Sequence, residues 1–194
     1  MTIAYELGNA LYLNITNKCP CDCVFCIRNT GEGVNYGESL WLKHEPAIDE
    51  IMKILSETDY SQYREVVFCG YGEPTERLEV LLECAKFLKQ HLYVRLNTNG
   101  LSDLINGKKT APLLANYIDC VSISLNAPDA DIYNRLCSPI FGDGSFEAMI
   151  QFTKDCKECI TQVMMSVMGS ALNKEELERC RALCDLLDVP LRVR

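Results

Sequence analysis

Hydrophobic and polar positions change period repeatedly along this chain. Leu11, Leu13 and Ile15 alternate with Tyr12, Asn14 and Thr16, which predicts a first strand over 11–16 with two distinct faces. A cysteine-rich loop and a glycine-rich stretch (Gly31, Gly33, Gly37) follow. Glu45-Pro46 then opens a helix with proline in its first turn, and Ile48, Ile51, Met52 and Leu55 recur at helical spacing. A second strand over 65–69 ends at Gly70. Thr75 is placed to N-cap the next helix, whose apolar stripe is Leu78, Leu81, Leu82, Ala85 and Leu88.

The same exchange continues to the last residue. A third strand over 92–97 runs into Asn99-Gly100, a short helix surrounds Pro112–Ala115, and a fourth strand over 118–125 stops at Asn126-Ala127-Pro128. Ser145 is placed to cap a helix carrying Phe146, Met149 and Ile150, and a fifth strand over 162–168 ends at Gly169. Asn173 with Glu176 resembles a capping box at the start of a helix through Leu177 and Leu187, and 190–194 has room for a sixth strand. Six strands alternating with five helices predict a parallel α/β sheet in one domain over 1–194. Right-handed crossovers either curl such a sheet into a partial barrel or leave it open and doubly wound. In both cases ligands gather at the carboxyl ends of the strands.

Composition narrows the classes. Of the 194 residues 48% are apolar and 24% charged, a balance suited to a globular core. The net charge of −8 argues against a surface that tracks a nucleic-acid backbone. No apolar run reaches the roughly 18 residues of a membrane span, and Met1–Glu6 lacks the basic start and apolar core of a secretory leader. A cytoplasmic location is expected. In that compartment twelve cysteines do not form a disulfide framework.

The candidate chemistry lies at the strand ends. Cys19, Cys23 and Cys26, spaced C-x3-C-x2-C, follow the first strand. Three close thiolates hold three irons of a cubane cluster and leave the fourth open, although a zinc site or a redox cluster could use the same triplet. Gly70-Tyr71-Gly72-Glu73-Pro74 follows the second strand. Its two glycines allow close approach of backbone to a ligand, and Glu73 offers a carboxylate to an ammonium group. Asn97-Thr98-Asn99-Gly100 ends the third. On the fourth, Ser122, Ser124 and Asn126 share one face and suit hydrogen bonds to a ribose.

The cysteine spacing, with Phe25 just before the last cysteine, resembles the signature of the radical S-adenosylmethionine superfamily. Gly70–Pro74 resembles that superfamily's GGE-type element, interrupted here by Tyr71, and Asn97–Gly100 resembles a further one. The compact members are the most similar, notably those associated with TatD-family deoxyribonucleases. The resemblance implies a partial TIM-like (β/α)6 barrel and a [4Fe–4S] cluster on Cys19, Cys23 and Cys26. It also implies that S-adenosylmethionine is bound through its amino group near Glu73, with Ser124 and Asn126 at ribose-contacting positions. Ser166 is a weaker candidate of the same kind, and Arg192 and Arg194 are candidates for the cosubstrate carboxylate. The implied reaction is reductive cleavage to a 5′-deoxyadenosyl radical that abstracts hydrogen from a substrate. An electron donor such as flavodoxin or ferredoxin is implied as a partner. The substrate is unnamed by the sequence, and an incomplete barrel open at one side suits a bulky one.

The remaining cysteines read differently. Cys21 reads as a spectator thiol within the loop, and Cys69, Cys84 and Cys120 as core. Cys156/Cys159 and Cys180/Cys184 are paired at helical spacing, which suits buried small positions better than a zinc site. Cys137 is the remaining thiol that could face the site. His44 and His91 read as surface or capping residues, and Met164, Met165 and Met168 as strand packing. Tyr71 either shields the cosubstrate or fills a turn. Arg28, Glu38 and Trp41, near the cysteine loop, read as packing and surface residues.

Overall fold

Seven strands form one sheet whose spatial order is the chain order: β1 (Ala4–Leu7), β2 (Ala10–Leu13), β3 (Glu65–Phe68), β4 (Tyr93–Thr98), β5 (Cys120–Ser124), β6 (Gln162–Val167) and β7 (Leu191–Val193). The computed structural model describes residues 1–30 and 39–194. Gly31, Gly33, Gly37 and Glu38 lie outside the described residues. Strands β2 to β7 pair in parallel, and only β1 is antiparallel to its neighbour. The six expected strands are present, and β1 is an addition to them. It forms a hairpin with β2 across Gly8-Asn9, where Gly8 takes φ +64°.

The crossovers carry α1 (Ile27–Thr30) and α2 (Ile48–Glu57), then α3 (Leu78–Leu88), α4 (Ser102–Asn106) and α5 (Ala111–Leu114), α6 (Ala130–Cys137) and α7 (Ser145–Cys159), and finally α8 (Lys174–Leu187). Three expected helix starts shift. Pro46 lies just before the cap of α2, which is Ala47, because Glu50 reaches back to the Ala47 N–H at 2.7 Å. Thr75 does not cap α3. A 3-10 turn over Pro74–Arg77 intervenes, capped by the Glu73 carboxylate. Gly144, at φ +92°, caps α7, and the Ser145 hydroxyl instead donates to the Gly142 carbonyl at 2.7 Å. The Asn173–Glu176 capping box forms at α8 as expected.

Alternation sorts the strands into two faces. Leu11, Leu13, Val66, Phe68, Val94, Leu96, Val121, Ile123, Met165 and Val167 join the core beneath the helices, against Ile51, Leu55, Leu81, Leu88 and Phe152. Burial of each such side chain is worth about 1.5–3 kcal/mol. On the opposite face register stacks side chains in levels. Tyr12, Val67, Arg95, Cys120 and Gln162 form the lowest, then Asn97, Ser122 and Met164, then Ser124, Ser166 and Arg192. This face becomes polar toward the carboxyl ends.

The sheet is curled. Arg194, just past β7, interacts electrostatically with Cys69, just past β3. In a flat sheet four strand spacings would hold these positions about 19 Å apart. The polar face is therefore the inside of a partial barrel, with β1 and β7 at its two edges. No described helix is long and apolar enough to cross a membrane.

Candidate active site at the carboxyl ends of the strands

Beyond β2 the chain leaves the ladder because its polar side chains find other partners. The Asn14 amide donates to the Leu40 carbonyl at 2.6 Å and to that of Thr2 at 3.1 Å, and Asn17 exchanges hydrogen bonds with the backbone of Leu42. The cysteine loop is then pinned along its length. Pro20 accepts from Ile140 N at 2.8 Å, Asp22 N donates to Cys137 O at 3.0 Å, and Val24 N donates to Leu136 O at 2.9 Å. The loop thus runs antiparallel to the end of α6, an element the sequence pattern did not reveal.

The thiols fall into two groups. Cys19, Cys23 and Cys26 are half-buried, while Cys21 and Cys137 are buried. Hydrogen bonding links Cys19 to Cys21, Cys21 to Cys23, and Cys23 to Cys137. The bond to Cys21 holds the Cys19 thiol below its ordinary value, and the bonds to Cys137 and Cys21 hold Cys23 down to about 4. Their protonated partners, Cys21 and Cys137, are pushed up in the same exchange. Cys26 is positioned by its own N–H, which donates to Cys23 O at 3.0 Å. Phe25 packs half-buried against the core.

Glu73 joins the first three strand ends. Its backbone N–H donates to the Lys18 carbonyl at 2.7 Å. Its Oε1 accepts from Thr75 N (3.1 Å), Thr75 Oγ1 (2.8 Å) and Thr98 Oγ1 (2.8 Å), and its Oε2 from Asn99 N (2.7 Å). The side chain is 3% exposed, and no cation pairs with it among the described residues. Burial raises its carboxyl above the usual range, and the four hydrogen bonds oppose that shift. A buried carboxylate without a cation is costly. With three donors on Oε1 and one on Oε2, the spare acceptor capacity lies on Oε2. The arrangement fits an ammonium ligand. The sequence pattern does not mark Thr75 and Thr98 as site residues, because their role is to hold Glu73.

The glycines of this turn serve the chain itself. A Cβ on Gly70 would lie 2.0 Å from Asn14 Oδ1, and one on Gly72 would lie 2.3 Å from Thr16 O and 2.7 Å from Lys18 O. Both glycines also let the chain segments that follow β2 and β3 approach each other closely. Gly72→Ala is expected to destabilise the fold by about 1–3 kcal/mol, because carbonyl oxygens of a pinned loop cannot move aside as a side chain does. Urea denaturation measures it, and an unchanged midpoint would contradict this packing role. Tyr71 fills a turn: it is buried beside Tyr5 and Leu40, with the Trp41 ring edge-on at 5.3 Å. Pro74 is buried within the 3-10 turn.

The other sequence candidates converge on the inner face. Asn97 and Asn126 each keep a buried side-chain oxygen without a partner, which a bound polar group could satisfy. Asn126 stands at φ +56°, and its amide nitrogen reaches Cys137 Sγ at 3.8 Å. Asn99 is partly committed, accepting from Leu101 N at 2.8 Å and donating toward the Cys19 and Cys21 sulfurs at 4.0 and 3.8 Å. Ser124 and Ser166 lie side by side in the register, with Arg192 opposite Ser166. Cys120 is buried low on this same face, while away from it Cys84, Cys156, Cys180 and Cys184 are core and Cys159 is exposed. His44 meets Glu50 at the surface, and His91 stacks on Tyr60.

A family model described as the radical SAM superfamily matches residues 13–184. The chain is 29% identical over 171 residues to a protein of Saccharolobus solfataricus named "Probable GTP 3′,8-cyclase", covering 86% of this chain and 49% of that one. It is 23% identical over 198 residues to the "Probable dual-specificity RNA methyltransferase RlmN 1" of Protochlamydia amoebophila, covering 95% and 51%. The chain therefore spans about half the length of these relatives. Among solved structures it is similar to Streptococcus suis SuiB bound to precursor peptide SuiA, with a TM-score of 0.71 at 20% identity, over 98% of this chain and 40% of that one.

Proposed function

Since the chain belongs to the radical SAM superfamily, whose members use a [4Fe–4S] cluster and S-adenosylmethionine, we propose that it is an enzyme acting on an unidentified substrate through residues at the carboxyl ends of β2 to β6. In this reading residues 1–194 form one core domain, and Cys19, Cys23 and Cys26 hold the cluster and leave one iron open. Bound together, cluster and cosubstrate supply a one-electron cleavage that yields a 5′-deoxyadenosyl radical. The chain's own groups orient the reactants and exclude water. Glu73 accepts the cosubstrate ammonium on Oε2, and Arg192 or Arg194 meets its carboxylate. Ser124, Asn126 and Ser166 contact the ribose. Asn97, Asn99, Phe25 and the Gly70–Pro74 turn complete the lining.

The observation that carries this reading is Glu73, a buried carboxylate braced by four donors and lacking a cation. A flavodoxin or ferredoxin supplies the electron, with dithionite as a substitute in vitro. The substrate is bulky: Val24, Ile27, Ile140 and Phe141, on the loop and the segment paired with it, are exposed apolar groups beside the site. A substrate complex showing a small molecule sealed within the strand ends would overturn that last point.

A second reading follows from the contact of Cys21 with Cys19 and Cys23. With Cys21 as a fourth ligand, the chain would be an electron-transfer module, and with zinc in place of iron a structural one. Elemental analysis of anaerobically purified protein separates zinc from iron and sulfide. Electron paramagnetic resonance then separates the other two. S-adenosylmethionine is expected to change the signal of the reduced cluster, and an unchanged signal would favour the module.

A further inference from the structure

Asn126 carries a side-chain amide with one end held and the other free. It is 5% exposed, its Nδ2 lies 3.8 Å from Cys137 Sγ, and its Oδ1 is buried without a partner. An amide has a donor end and an acceptor end, and a half-turn about its last bond exchanges them. Which end meets a ligand therefore depends on what holds the opposite one. Here that group is the sulfur of Cys137, 1% exposed at the last position of α6. Among the described residues no other group hydrogen-bonds to the Asn126 side chain.

Both backbones are fixed, so the contact does not come from a loose pair of side chains. Asn126 N donates to the Ser166 carbonyl at 3.3 Å, as does Leu125 N at 2.9 Å. At φ +56° Asn126 holds a conformation that asparagine adopts more readily than most residues. The Cys137 carbonyl accepts from Asp22 N at 3.0 Å, and Ser138 N, at the cap of α6, donates to the Asn134 carbonyl at 3.0 Å. Cys137 thus stands between the cysteine loop, which its carbonyl holds, and Asn126, which its sulfur holds.

We infer that Cys137 is a positioning residue for S-adenosylmethionine: its sulfur holds the Asn126 amide by Nδ2, so that Oδ1 is the end that accepts from a ribose hydroxyl. The inference rests on the ribose contact proposed above for Asn126. A hydroxyl is the donor that suits an orphaned carbonyl oxygen, and the pairing needs no charge on either side. Without the sulfur, the amide nitrogen loses its acceptor and nothing selects between the two half-turns.

Wild type, Cys137→Ala, Cys137→Ser, Asn126→Gly and the Cys137→Ala/Asn126→Gly double variant are to be reconstituted anaerobically and checked for iron, sulfide and folding. Each is then titrated by calorimetry with S-adenosylmethionine and with its 2′-deoxy and 3′-deoxy analogues. Glycine takes φ +56° without strain, so Asn126→Gly removes the side chain and leaves the backbone in place. Cys137→Ala is expected to weaken S-adenosylmethionine binding about threefold to tenfold, the range of one ordinary hydrogen bond. It leaves unchanged the affinity for the analogue that lacks the hydroxyl held by Asn126. Cys137→Ser keeps most of the affinity, because a hydroxyl oxygen also accepts, and the double variant binds no more weakly than Asn126→Gly.

Wild-type affinity in Cys137→Ala would overturn the inference. So would an equal loss for all three ligands, or a double variant weaker than Asn126→Gly, since both mark a packing effect. If Cys137→Ala does not fold, Cys137→Ser decides, and loss of its preference for S-adenosylmethionine over the deoxy analogue overturns the inference. Asn126→Gly that binds as tightly as wild type would remove the ribose contact itself. A wild-type protein that binds no S-adenosylmethionine would defeat the proposed function, and both of these failures are seen before Cys137 is varied.

Discussion

Cys19→Ala, Cys23→Ala and Cys26→Ala are each expected to fold and yet to bind neither iron nor sulfide after anaerobic reconstitution, whereas Cys21→Ala retains both. The loop does not depend on these thiols for its shape, because its backbone is held by Cys137, Leu136 and Ile140. Truncating a half-buried cysteine removes little apolar surface, so each loss of stability is expected to stay near ~1 kcal/mol. Loss of one of three ligands, by contrast, removes the site. Iron and sulfide content checks the result, with circular dichroism to show that each variant is folded. A cluster that survives in Cys26→Ala and is lost in Cys21→Ala would transfer the third ligand to Cys21.

Glu73→Gln is expected to weaken S-adenosylmethionine binding by about 30-fold or more, with only a modest loss of stability. Three donors converge on Oε1 and one on Oε2, so the amide oxygen of glutamine settles at the Oε1 position. Its NH2 group then faces Asn99 N–H and the ammonium proposed at Oε2. One hydrogen bond to the chain is lost, worth about 1.5–3 kcal/mol when the acceptor is charged. The ligand ammonium loses its counter-charge in a buried place, which costs about 2–5 kcal/mol. At ~1.4 kcal/mol per tenfold, even the lower figure gives the stated factor. The single tryptophan, Trp41, lies edge-on to Tyr71 two residues from Glu73, so its fluorescence offers a binding signal in the apo chain. Equal affinity in wild type and Glu73→Gln would remove Glu73 from the binding site.

Much of the fold was legible because strands β2 to β7 bury one face under helices, and burial enforces strict alternation. The clustering of Cys19, Glu73, Thr98 and Ser124 at one end follows from parallel pairing, which sends every strand's carboxyl end the same way. What escaped the sequence has physical reasons. The β1 hairpin carried a signal, since Ile3, Tyr5 and Leu7 alternate up to Gly8-Asn9, but at four residues it is too short to stand out beside the longer runs. Helix α6 begins where Asp129 caps Ile132 N, directly after the Asn126–Pro128 stop, and local turn chemistry masked it. The reasons for Gly70 and Gly72 are tertiary, because Asn14, Thr16 and Lys18 are more than fifty residues away in the chain. The link from the cysteine loop to Cys137 and Pro139 is tertiary in the same sense.

The most direct measurement is the formation of 5′-deoxyadenosine. Reconstituted protein containing iron and sulfide, given S-adenosylmethionine and dithionite under anaerobic conditions, is expected to release 5′-deoxyadenosine, and Cys19→Ala, Cys23→Ala and Cys26→Ala to release none. An intact cluster with S-adenosylmethionine bound and no 5′-deoxyadenosine formed would contradict the proposed reaction.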